Sequence, residues 1–316
     1  MVIILISVKK FNYKRMSVII IIALFSICTI SLAVTKIVYD HIFARYDEPL
    51  AVAPELNQVI QQRQVCQFPS GHNMLTGYYY SAQTPNDTNT LVVLVPGFHA
   101  GGDHYLWQIR ELMEYGWNIF TFDTTGTFGS QGKSQVGFSQ SLLDLYAAMD
   151  YLKENQQFGH SQLVLIGHSR GAYAACCVLE QRQDIAAVVS VSGVNSAMEA
   201  IMQMSVQTVG PVSYGNYGFL WLYQASLFGA DVLNQNAVQA ISNSTVPVLV
   251  IHGTEDTQAP TDKCSIISHK SQITSAQDEY LLVDAGHTDL LYDADGTAND
   301  ELIYQIHLFL LSSLEK

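Results

Sequence analysis

Residues 163–181 read LVLIGHSRGAYAACCVLEQ, and the order of features within them decides the fold. Leu163, Val164, Leu165 and Ile166 are a short continuous apolar run, the pattern of a strand buried on both faces. A G-x-S-x-G pentapeptide follows at once, from Gly167 to Gly171 and centred on Ser169. Residues 172–181 are then rich in Ala and read as a helix. The pentapeptide alone arises by chance in loops; strand before and helix after give it meaning. A sharp strand-to-helix turn lifts the Ser169 hydroxyl clear of the sheet, and the flanking glycines permit a strained backbone and close packing. The first turn of the helix also offers backbone N–H groups to developing negative charge.

Working outward, similar apolar runs recur at residues 91–95 (LVVLV), 117–122, 186–191, 246–251 and 280–283, with helical periods between them. Residues 65–68 and 75–80 flank the turn-rich Pro69-Ser70-Gly71-His72-Asn73, a hairpin signal. From Leu142, the residues Leu145, Tyr146, Met149 and Leu152 fall on one helix face, which leaves Asp144, Asp150 and Lys153 expected in solvent. Alternation of this kind predicts an α/β protein: a mainly parallel, eight-stranded sheet with helices on both faces. Residues 195–243 break the rhythm. They lack a strand and are rich in Met and aromatics, among them Met198, Met202, Met204, Tyr214, Tyr217, Phe219, Trp221, Tyr223 and Phe228. An insertion this long is usually functional. It reads either as helices packed on the core or as a lid lining an apolar pocket.

A serine hydroxyl is a weak nucleophile near neutral pH and needs a base, which in turn needs an orienting acid. The run 246–251 leads into His252-Gly253-Thr254-Glu255-Asp256, and the run 280–283 into Asp284-Ala285-Gly286-His287. Ser169, Asp256 and His287 therefore follow the ends of three strands, on the edge where open parallel sheets build their sites. Glu255 and Asp262 are the other candidate acids; the distance of Asp256 from its strand end suits the role best. His168 and His252 read as structural, and Asp289 as solvent-facing or supporting its turn. Val95-Pro96-Gly97-Phe98-His99-Ala100-Gly101-Gly102 follows the first buried strand, so the amides of Phe98 and Arg170 are the expected pair of oxyanion donors. Arg170 contributes either its amide alone or also its guanidinium, toward an anionic group.

These segments in this order, from about residue 65 to 311, resemble a serine hydrolase of the α/β-hydrolase superfamily. LVVLVPGF is similar to the family's strand and oxyanion loop, with Pro96 where His is frequent. Residues 122–132 (FDTTGTFGSQG) resemble its D-x-x-G-x-G-x-S-x-G stretch, with one residue inserted before Gly129. IGHSRGA, IHGTEDTQAP and AGHTDLL are similar to the nucleophile, acid and base segments. The nearest kin by these motifs are lysophospholipase, monoacylglycerol-lipase and serine-aminopeptidase-like members. The resemblance implies an esterase or lipase-like enzyme working through an acyl-enzyme. A peptidase or acyltransferase using the same residues is the near alternative, and a non-catalytic binding protein on this fold the distant one. Serine at the turn disfavours the superfamily's dehalogenase and epoxide hydrolase chemistry, which uses Asp.

The chain carries 15 Lys and Arg against 28 Asp and Glu, a net charge of −13, which argues against nucleic acid as a partner. The bases nearest the start, Lys9, Lys10, Lys14 and Arg15, precede an uncharged run at 17–34, SVIIIIALFSICTISLAV. Eighteen residues are about the minimum that crosses a bilayer, and the charge asymmetry keeps the N-terminus cytoplasmic and sends the rest outward. The expected organisation is residues 1–35 as basic flank and anchor, 36–64 as linker, and 65–316 as catalytic domain with the insertion 195–243. A cleaved signal ending near Ser31-Leu32-Ala33 is the alternative, as is a start at Met16. The five cysteines make no disulfide framework, and a Cys66–Cys264 pair is not expected. No H-E-x-x-H or paired C-x-x-C suggests a metal, and Gly132-Lys133-Ser134 lacks the first glycine of a phosphate loop. No cofactor, metal or nucleotide is expected, only a small ester or lipid-like substrate.

Overall fold

The computed structural model describes residues 13–155, 158, 160–275 and 277–314; Lys9 and Lys10 of the basic flank lie outside them. Eight strands form one sheet: β1 (Gln64–Ser70), β2 (Asn73–Tyr80), β3 (Thr90–Val95), β4 (Asn118–Phe122), β5 (Gln162–His168), β6 (Ile185–Val191), β7 (Val248–Gly253) and β8 (Glu279–Val283). Their order is β1-β2-β4-β3-β5-β6-β7-β8. β1 and β2 are the antiparallel hairpin, turning at Gly71 (φ +56°). From β4 to β8 every pairing is parallel. The central strands β3 and β7 are buried along their whole length, as their unbroken apolar runs require. β7 starts at Val248 rather than at 246, because Pro247 has no N–H for the ladder; its carbonyl still accepts from Val188 N at 3.0 Å.

The helices are α1 (Tyr13–Ile42), α2 (Asn57–Gln62), α3 (Leu106–Glu114), α4 (Gln140–Glu154), α5 (Arg170–Cys177), α6 (Ala197–Val209), α7 (Tyr217–Phe228), α8 (Ala230–Leu233), α9 (Ala237–Asn243) and α10 (Asp300–Leu314). Buried side chains of α4, α5, α6 and α9 cover one face of the sheet, and those of α2, α3 and α10 the other. This is the α/β-hydrolase fold.

α1 is long and apolar enough to cross a membrane from Lys14 to Ile42, and its most apolar window is almost wholly unburied; a signal sequence passes the same test. The helix outruns the uncharged stretch, because residues 35–42 contain no breaker. Beyond it, the segment expected as a linker is built onto the body. Tyr39 and Phe43 enter the core, and Ala44 and Tyr46 bridge to Ser134 and Thr127. Arg45 donates to the carbonyls of Phe128, Ser130 and Gly132 at 2.6–3.0 Å.

Asp144 corrects the sequence reading. It was expected on the solvent face of α4 and is fully buried. Its carboxylate accepts from Ser70 Oγ (2.7 Å), Thr125 N (2.7 Å), Thr125 Oγ1 (2.8 Å) and Gln140 Nε2 (2.9 Å). A buried carboxylate is tolerated when donors surround it, and Ser70 and Thr125 come from segments outside its own helix. Burial still pushes its pKa up against the pull of those bonds. The solvent placement of Asp150 and Lys153 agrees with the structure.

Candidate active site

Ser169 follows β5 in a backbone conformation (φ +54°, ψ −115°) that few side chains adopt. The turn is forced by contact. A Cβ on Gly171 would stand 2.1 Å from the Val95 carbonyl oxygen, and one on Gly167 would stand 2.4 Å from that of Gly171. Only glycine lets β3, β5 and α5 meet this closely. Ser169 is half-buried, whereas Asp256 and His287 are buried.

The sequence-predicted trio comes together. His287 Nε2 lies 2.8 Å from Ser169 Oγ, and His287 Nδ1 lies 2.6 Å from Asp256 Oδ2. Nδ1–H donating to the carboxylate leaves Nε2 free to accept the serine proton. Burial pushes the Asp256 pKa up, but donated hydrogen bonds from His252 and His287, helped by the Ala259 amide, hold it well below the usual carboxylate range. Its other oxygen accepts from Gln258 N at 2.9 Å and Ala259 N at 2.8 Å. Glu255 and Asp262 are exposed, and the exposed Asp289 sits by its turn.

Sequence reasoning left several supporting side chains without a task. His252, fully buried, directs Nε2 at Ala259 O (2.8 Å) and Asp256 Oδ2 (3.1 Å). His168 Nε2 donates to the His287 carbonyl at 3.2 Å, and Ser192 Oγ donates to the same oxygen at 2.8 Å. His168 Nδ1 meets Tyr105 Oη at 3.0 Å, which also receives Gly97 N at 3.0 Å. One hydrogen-bonded path therefore joins the loop after β3 to the backbone of His287. Burial, with the nearby His287, lowers the His168 pKa to about 3, so His168 stays neutral. Asp123, at the end of β4, ties the loops together by accepting from Gly102 N (3.0 Å), Gly129 N (3.0 Å) and Tyr78 Oη (2.8 Å). Its place straight after a buried strand was the available signal.

Phe98 lies in the loop after β3, and Arg170 is the first residue of α5, where an amide has no acceptor within its own helix. The Arg170 guanidinium is fully buried, donates to Thr124 Oγ1 at 2.8 Å and lies 5.4 Å from the Phe98 ring. Burial lowers its pKa to about 10. The five cysteines are free thiols. Among the described residues no three His, Cys, Asp or Glu side chains gather as a metal site needs.

Solved esterases share the fold of this chain. An esterase of Pyrococcus furiosus superposes with a TM-score of 0.63 at 18% identity, over 85% of this chain and 98% of its own. Est1E of Butyrivibrio proteoclasticus, solved with ferulic acid bound, gives 0.61 at 18% identity, over 79% and 100%. The chain belongs to the prolyl oligopeptidase family, whose profile matches residues 124–295, more than half of its length, and through it to the serine-hydrolase branch of the α/β-hydrolase superfamily. It is therefore a serine hydrolase. A proline iminopeptidase of Saccharolobus solfataricus is 28% identical over 129 residues, which span 40% of this chain and 40% of that enzyme.

Proposed function

We propose that this serine hydrolase cleaves carboxylic esters through Ser169, His287 and Asp256. Ser169 Oγ attacks the acyl carbon as His287 Nε2 takes its proton, and Asp256 holds the imidazole in orientation. The amides of Phe98 and Arg170 receive the oxyanion. His287 then gives its proton to the leaving alcohol, and an acyl-enzyme remains. Water, deprotonated by the same imidazole, attacks that ester, and the acid departs as Ser169 recovers its proton. The observation that carries this reading is the 2.8 Å and 2.6 Å relay from hydroxyl to imidazole to carboxylate. In this reading residues 65–316 are the catalytic unit, 195–243 its lid, and the helix through 17–34 an uncleaved anchor. The basic flank holds the N-terminus in the cytoplasm and the catalytic unit outside.

The lid accounts for the Met and aromatic content of 195–243 as the cover of an apolar pocket. Rates on p-nitrophenyl esters from acetate to decanoate, beside aminoacyl anilides including prolyl anilide, test this. Medium-chain esters are expected to exceed acetate in kcat/KM and the anilides to be poor. Equal kcat/KM across the esters would count against the lid. The family's name and the iminopeptidase relative favour a second reading, a peptidase with the same relay. Turnover of anilides without turnover of esters would establish it in place of the first.

A further inference from the structure

α7 lies along the last turns of α1. Asn216 Nδ2 donates to Thr35 Oγ1 at 2.8 Å, Tyr223 Oη to Asp40 Oδ1 at 2.5 Å, and Tyr39 Oη to Gln224 Oε1 at 3.4 Å. Residue 216 meets 35 and residues 223–224 meet 39–40, so the two helices run side by side in the same direction. The start of α7 is thereby fixed beside Thr35, which directly follows the uncharged run 17–34.

The surface at that level is largely apolar, its charges being the mutually paired Lys36 and Asp40 on the α7 side of α1. Residues 200–230 contain no charged side chain. Val209, Val212, Tyr214 and Tyr217 are 63%, 76%, 62% and 46% exposed, and Val34, Ile37 and Val38 are exposed on α1. Exposed apolar groups gathered in one place mark an interaction surface. The exposed apolar side chains of α1 run up to this patch at Thr35, and tyrosines beside a paired lysine suit the boundary between hydrocarbon and headgroups.

We propose that residues 209–217 sit in the headgroup layer of the bilayer that α1 crosses, and that the site draws a membrane-resident, long-chain acyl ester directly from that layer. The proposal rests on the reading of α1 as a retained anchor and of Ser169 as an ester-cleaving nucleophile. The fixed junction makes the bilayer the occupant, because the depth of 209–217 is set by Thr35. It also sets the path to the site. From Val34 to Ile42 the helix rises about 12 Å, and just beyond its end the Phe43 ring stands 5.2 Å from that of Phe98, in the loop offered to the oxyanion.

The test uses the full chain in phosphatidylcholine vesicles and a Val209→Glu, Val212→Glu double variant, whose side chains face outward and touch no reacting group. Flotation after an alkaline wash reports anchoring. Two rates are compared: p-nitrophenyl palmitate dispersed in the vesicles and p-nitrophenyl acetate in water. Both proteins are expected to float, with acetate kcat/KM within about twofold and palmitate kcat/KM at least tenfold lower in the variant. A floating variant with undiminished palmitate turnover overturns the proposal and leaves the anchor standing. An equal loss on both esters overturns it as well, since the face would then serve the lid's own folding. A native chain that fails to float, with its N-terminus cut near residue 33, sinks the anchor reading and this inference with it.

Discussion

At Asp256 four donors converge, from His287, His252, Gln258 and Ala259, and together they keep the carboxylate ionised where burial alone would neutralise it. Asp256→Asn keeps the shape but turns an N–H₂ toward His287 and favours the wrong tautomer, so kcat is expected to fall by about 10⁴, measured on the best ester. His168 offers a pH test. Folding lowers its pKa from 6.5 to about 3. A base depressed in this way contributes stability that is fully present above pH 6.5 and is lost as pH falls toward 3. Between pH 7 and pH 4.5 that loss is roughly 2–3 kcal/mol. Urea unfolding in detergent at both values should show the native chain losing that much more than His168→Asn, and equal losses would reject the assignment. Ser169, Asp256 and His287 were legible because each follows a recognisable strand end. His252 and His168 read as structural in the sequence, but their bonds to Asp256 and to the His287 carbonyl were not legible, since they depend on loops that meet only in the fold.

Among the elements, α4 and the loop after β4 are joined by Asp144. Asp144→Ala leaves the Thr125 amide and three neutral donors without their acceptor, at a cost of about 3 kcal/mol. Thermal unfolding is expected to fall by roughly 6–12 °C, while Asp150→Ala on the exposed side of the same helix leaves it nearly unchanged; similar shifts would deny the hub role. The inner strands were legible because their apolar runs are buried on both faces, whereas β1 and β8 at the sheet edges keep exposed positions. The sequence pattern erred where one residue overrode the average. Pro247 delays β7, and Asp144 is a charge that the helical period assigns to water but four donors bring inside. The end of α1 was missed for a related reason: Tyr39 and Phe43 extend a helix whose apolar run had already stopped, and they pack on a body that periodicity does not see.

At the scale of the molecule, a parallel sheet carries three chemical segments to one rim, and the end of α1 packs on the body through Tyr39 and through Thr35 with Asn216. The motifs, taken in order, made the sheet and rim legible from sequence. The junction of α1 with α7 was not, because it rests on pairs such as Thr35 with Asn216 that are 181 residues apart. The account depends most on Ser169 acting as the nucleophile. Labelling with a fluorophosphonate, followed by mass mapping of the modified peptide, measures this directly. The expected result is one adduct on Ser169, abolished in Ser169→Ala and strongly slowed in His287→Ala. An unreactive native chain, or undiminished labelling of Ser169→Ala, would contradict it.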